Sequence, residues 1–163
     1  MFDKFGEFDS WEELNQAAEA QLKEGDDEAL LALAEENGIE REEVEDYMDG
    51  IVPDLTNPLM AAYGKLDVES RDLKLYGIME DWLRYIRIRC AEDQDVALLV
   101  RKKGKSLRGC VAHILVWSFK NARDVDKDIL KAAGIKSPRV TLGIPDMAKA
   151  KELITEYYMG GKS

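Results

Sequence analysis

The sequence predicts an all-α fold: a compact domain of seven to nine helices with an acidic helical unit at its N-terminus. Three features point there. Apolar residues recur at helical spacing in nearly every segment. Capping residues and glycines alternate along the chain at helix-length intervals. No set of alternating apolar and polar runs marks a sheet of any size. At 163 residues the chain suits one domain, or one core with a small appended unit, and can bury roughly 70% of its extended surface.

Ser10-Trp11-Glu12-Glu13 has the spacing of a capping box and opens a helix over 11–24, which Gly25 stops. Asp26 and Asp27 cap a second helix through Glu36, ended by Asn37-Gly38. Glu40 begins a third, with Val44, Tyr47 and Met48 inward and Gly50 at its close. Pro53, Asn57-Pro58 and Gly64 punctuate 51–66, which reads as a connecting segment with a short helix over 58–63. A long helix is expected over 69–91. Its apolar residues form two stripes, which suits a central position, and Gly77 inside it suggests close packing. Asp93 or Asp95 caps a helix ending at Lys102 or Lys103. Ser106 caps another over 107–121, whose apolar centre is expected to be the best buried. Asp124 or Asp126 starts a short helix ended by Gly134, 137–145 reads as extended, and a last helix covers 146–159. The organisation expected is an acidic unit over 1–50, a connection over 51–66 and a helical core over 67–163.

Charge is divided along the chain. Residues 1–50 carry eighteen Asp and Glu against three Lys and Arg, a net of −15, out of −10 for the whole. The remainder therefore holds fifteen acids against twenty bases, a net of +5. Such polarity selects partners and speeds encounter more than it shapes a fold. The longest strongly apolar run, Cys110 to Phe119, is about half of the ~20 residues a membrane-spanning helix needs. No export signal opens the sequence, so a cytoplasmic protein of a bacterial host is expected, with Cys90 and Cys110 as reduced thiols.

Ala34, Gly38 and Val44 have the offsets of a helix-turn-helix. The segment that would read DNA is Glu40 to Asp49, six acids and one base, and a polyanion repels it. Its acids, Glu40, Glu42, Glu43, Glu45, Asp46 and Asp49, have two readings: a solvated surface, or a mimic of a nucleic-acid backbone aimed at a basic groove. Arg101, Lys102, Lys103, Lys105 and Arg108 form a basic segment with three readings: a contact for phosphates, a contact for an acidic surface (a partner's or the chain's own N-terminal third), or a solvated helix end. Direct nucleic-acid binding stays open for this segment alone. Gly104-Lys105-Ser106 ends like a phosphate-binding loop, but Leu99 stands where that motif needs glycine. His113, the only histidine, reads as a core residue, and Trp11, Trp82 and Trp117 read as core on apolar faces. With no nucleophile–base pairing and no metal-ligand spacing visible, neither an enzyme nor a metal or other cofactor is expected.

Several segments resemble small proteins of Firmicutes mobile elements. They are Phe5-Gly6-Glu7-Phe8-Asp9-Ser10, Ala34-Glu35-Glu36-Asn37-Gly38-Ile39, Glu45-Asp46-Tyr47 followed by Gly50, and Gly77-Ile78-Met79-Glu80-Asp81-Trp82. Lys103-Gly104-Lys105-Ser106-Leu107 with Gly109-Cys110, Trp117-Ser118-Phe119-Lys120-Asn121, and Arg139-Val140-Thr141-Leu142-Gly143-Ile144-Pro145 extend the likeness to about residue 159. As a set they are similar to a type II-A anti-CRISPR family. That resemblance implies a non-enzymatic inhibitor whose partner is the single-protein RNA-guided DNA nuclease of type II CRISPR systems. The segment from Lys105 to Cys110 also resembles accessory proteins of conjugative-plasmid transfer, which implies a regulatory role through protein–protein contact instead.

Overall fold

Side-chain caps set most helix starts in the structure, a computed structural model that describes residues 2–160. Ser10 Oγ accepts the Glu13 N–H at 3.2 Å and starts α1 (Trp11–Glu24), which Gly25 closes in the left-handed conformation. The Glu13 carboxylate reaches one residue further back than a capping box requires and accepts the Asp9 N–H at 2.9 Å. Asp26 caps α2 (Asp27–Glu36). Glu40 precedes α3 (Arg41–Met48), and the Glu43 carboxylate accepts the Glu40 N–H at 3.0 Å. Leu14, Ala18, Leu30, Leu33, Val44 and Leu55 form the apolar centre of this part.

Asn57 and Pro58 open a helix as expected, but it passes through Gly64 and becomes α4 (Pro58–Leu73). Gly64 is needed because the turn after α2 lies directly on it. A Cβ at Gly64 would stand 2.1 Å from the Asn37 carbonyl oxygen, and one at Gly38 would stand 2.3 Å from the Gly64 oxygen. Close approach of two backbones, not a break, accounts for this glycine.

The long helix expected over 69–91 is two helices. α4 ends at Lys74, a non-glycine residue with φ of 50°, and Gly77 with φ of 55° is the N-cap of α5 (Ile78–Glu92). Gly77 therefore makes a turn that other residues resist, and no atom lies within 4 Å of where its Cβ would be. The stripes misled because Leu75 and Tyr76, in the turn, happen to keep the helical spacing of α5. α6 (Gln94–Arg101) follows, capped by Asp93. α7 (Leu107–Asn121), α8 (Lys127–Ala132) and α9 (Met147–Met159) complete an all-α fold of nine helices among the described residues. The one ribbon among them pairs β1 (Arg123–Asp124) antiparallel with β2 (Thr141–Leu142), Arg123 opposite Leu142.

The chain forms two compact units, one ending at Arg108 and the other beginning at Gly109. Segments 51–66 and 67–108 thus belong with the acidic helices. The change of charge along the sequence is not where the units divide. In the second unit α7 buries Cys110, Ile114 and Ser118 but leaves Leu115, Val116 and Phe119 exposed, Phe119 to 81%. The expectation that its centre is the best buried segment fails because so short a unit cannot cover every side of a helix. His113 is likewise not in the core. Its side chain is 40% exposed and its Nε2 lies 3.2 Å from Glu156 Oε2. No helix among the described residues is long and apolar enough to cross a membrane.

Candidate functional site

α3 buries Val44 and Tyr47, packs Met48 against the same core, and so turns Arg41, Glu42, Glu45 and Asp49 outward. Residues 42, 45, 46 and 49 stand at offsets of three, four and seven, which puts them on one side of the helix with neighbouring Cβ atoms about 5–6 Å apart. Glu40, Glu42, Glu45 and Asp49 are exposed, and Glu43 and Asp46 are half-buried. Of the six, only Glu45 has a basic partner among the described residues: Arg41 Nε donates to its Oε1 at 2.8 Å. That pair is solvent-exposed and worth at most about 0.5 kcal/mol. Glu43 is engaged at the start of its own helix.

These acids also sit where the helix dipole disfavours them. The last turns of α2 and α3 contain no base. Glu35, Glu36, Glu45 and Asp46 occupy those turns and Asp49 the C-cap of α3, at the negative end of each dipole. The Glu36 carboxylate is offset by accepting the Lys4 and Phe5 N–H groups at 3.1 to 3.3 Å. No such partner is present for Glu42 or Asp49 among the described residues.

The basic segment is divided between the interior and the surface. Arg101 is 1% exposed; its Nη2 donates to Asn37 Oδ1 at 3.1 Å, and its guanidinium lies 5.6 Å from the Phe2 ring centre. Burial lowers its pKa, and the nearby Glu7 and Glu69 oppose that shift. The Lys103 N–H donates to Asp9 Oδ1 at 2.9 Å, so the acidic N-terminal arm fastens this segment from within. Lys102, Lys103 and Arg108 remain exposed, and Lys105 is half-buried.

Under the arm lies Lys65, which sequence reading passed over. Its Nζ donates to the carbonyl oxygens of Lys102 at 2.9 Å and of Lys105, and it meets Glu7 Oε1 at 2.8 Å. Glu69 is 3% exposed, 4.0 Å from Lys65 Nζ, and accepts the Leu107 N–H at 3.0 Å. Burial lowers the pKa of Lys65 and raises that of Glu69. This network holds the acidic helices against α4 and α6. A lysine inside Ala61-Ala62-Tyr63-Gly64-Lys65-Leu66 was its signal in the sequence.

A groove of about 610 Å³ lies between α1 and the turn that follows α3, lined among others by Trp11, Glu12, Glu19, Tyr47, Pro53 and Asp54. Trp11 is half-buried at this rim instead of enclosed in a core. The juxtaposition brings together residues far apart in sequence, and no local motif announces it. No family model matches the chain, and neither a curated protein nor a solved structure is significantly similar to it.

Proposed function

We propose that this chain is a non-enzymatic inhibitor of the RNA-guided DNA nuclease of type II CRISPR systems, binding it through the outer face of α3. The mode of binding rests on one observation: the row Glu42, Glu45, Asp46 and Asp49 carries negative charge that the chain's own bases leave almost uncompensated. The choice of target rests on the sequence resemblance. A nuclease of this kind holds its guide–target heteroduplex in a positively charged channel and reads a short flanking motif with basic side chains. Carboxylates carried on Cβ atoms about 5–6 Å apart along a helix present such a surface with a row of negative charges that stands in for phosphates. The −15 carried by residues 1–50 draws the two proteins together from a distance.

Titrating the protein into guide-loaded nuclease with a linear DNA target tests this reading. Cleavage should stop near one equivalent, and a gel shift of the nuclease on its DNA should be lost. Undiminished cleavage at a large excess removes the function. A retained shift without a cut product removes the channel-occupying mode, because the block then follows DNA binding.

A further inference from the structure

The turn after α3 is anchored to α1 by a two-way clamp. Asn15 Nδ2 donates to Thr56 O at 3.0 Å, and Thr56 N donates to Asn15 Oδ1 at 2.9 Å. The ridge Val52-Pro53-Asp54 therefore stands at a set place, with a groove on each side. The larger, about 610 Å³, has carboxylates from Glu12, Glu19 and Asp54 and walls from Trp11, Leu22 and Tyr47. The smaller, about 400 Å³, has Glu43 and Asp46 and shares Asp54. Among the described residues no base lines either groove. Lys23 pairs with Glu19 at 2.6 Å, with both side chains largely in solvent, and its charge partly offsets the effect of the acids on Tyr47.

Tyr47 adds a hydroxyl to the carboxylates of the larger groove. It is 7% exposed and lines the larger groove, yet its hydroxyl has no hydrogen-bond partner among the described residues. The residue as a whole is buried, but its oxygen is not among the enclosed polar atoms, so the hydroxyl is accessible from the groove it lines. Burial, reinforced by Glu19 and Asp54, raises its pKa and keeps it protonated. A hydroxyl left open beside three carboxylates and an indole calls for a ligand with several donors, positive charge and a flat, weakly hydrated face.

We propose that the larger groove binds an arginine side chain carried by a partner protein, its guanidinium among the Glu12, Glu19 and Asp54 carboxylates, against Trp11 and donating to the Tyr47 hydroxyl. A guanidinium supplies five donors in one plane and stacks on aromatic rings, which an ammonium does not. Leu22, Val52 and Pro53 receive the methylene stem. A nucleic acid is repelled by the same carboxylates. The inference deepens the proposed function and rests on it only for which protein supplies the arginine.

The test uses the full chain, isotope-labelled for NMR and titrated at low salt with an N-acetylated, C-amidated tetra-arginine peptide. Shifts should concentrate on the Trp11 indole, Tyr47 and the amides of 50–54. Glu12→Gln with Asp54→Asn should weaken binding about tenfold, and Tyr47→Phe about threefold with the fold unchanged. Glu24→Gln with Glu28→Gln removes the same charge outside both grooves and should weaken it less than about twofold. Equal weakening by the two pairs, shifts spread over all the acidic helices, or equal affinity for tetra-lysine overturns the site. The same variants with the nuclease separate the two proposals. If the peptide data hold and the nuclease does not bind, only the identity of the partner falls. If the nuclease binds Glu12→Gln/Asp54→Asn as well as wild type, the groove falls and the inhibitor reading stands.

Discussion

Replacing Lys65 by methionine measures what holds the acidic helices in place. The methylene stem is kept and the charge is lost, so Glu7, which Lys65 meets at 2.8 Å, and the buried Glu69 at 4.0 Å lose their cation. The carbonyl of Lys102, now 2.9 Å from Nζ, loses its donor as well. Breaking a buried pair by removing one member costs roughly 3–5 kcal/mol, and the lost carbonyl bonds overlap with that figure. Better burial of the methionine returns about 1 kcal/mol, which leaves about 3 kcal/mol. With a urea slope of about 2 kcal/mol/M, the unfolding midpoint at pH 7 should fall by about 1.5 M. The deficit should depend on pH with a definite sign. Burial already raises the pKa of Glu69, and Lys65 pulls it back down, so the substitution raises it further. A carboxyl whose folded pKa is raised contributes stability at low pH and loses it as pH rises through that value. The gap between variant and wild type should therefore be smaller at pH 5 than at pH 7. A midpoint within about 0.3 M of wild type at pH 7, or one deficit at both pH values, would refute the reasoning.

Gly64→Ala should lower the unfolding free energy by about 2 kcal/mol, because its Cβ would meet the Asn37 carbonyl oxygen at 2.1 Å and backbone must move. By calorimetry that is a fall in Tm of about 6 °C, and an unchanged Tm contradicts the close approach. Cys90 is buried and its thiol is pushed up to about 12, chiefly by desolvation, so a disulfide reagent at pH 8 should label it only as the fold opens. Labelling in native buffer as fast as in urea contradicts that burial.

Helix starts were legible because the signals are local. Ser10, Asp26, Asn57-Pro58, Asp93, Asp126 and Asp146 each meet an amide two or three residues on. The break at 74–77 was not legible, because Lys74 is not a residue that announces a left-handed turn and the stripes run on through it. Gly64 and Gly77 were read with their roles exchanged, since only the third dimension shows which of them another backbone touches. The acidic row on α3 was legible from spacing alone. The withdrawal of Arg101 was not, because its partner Asn37 is 64 residues away. The groove at Tyr47 exists only once Asn15 and Thr56, 41 residues apart, have paired.

Charge reversal on α3 is the most direct test of the central claim. Binding of guide-loaded nuclease should be measured for wild type and for Glu42→Lys/Asp46→Lys/Asp49→Lys, at about 0.05 M and about 0.15 M salt. The variant should bind at least about tenfold more weakly at the lower salt, mainly through slower association, and the gap should narrow as salt rises. Equal affinity of the two proteins at low salt would contradict the claim that this face of α3 makes the contact.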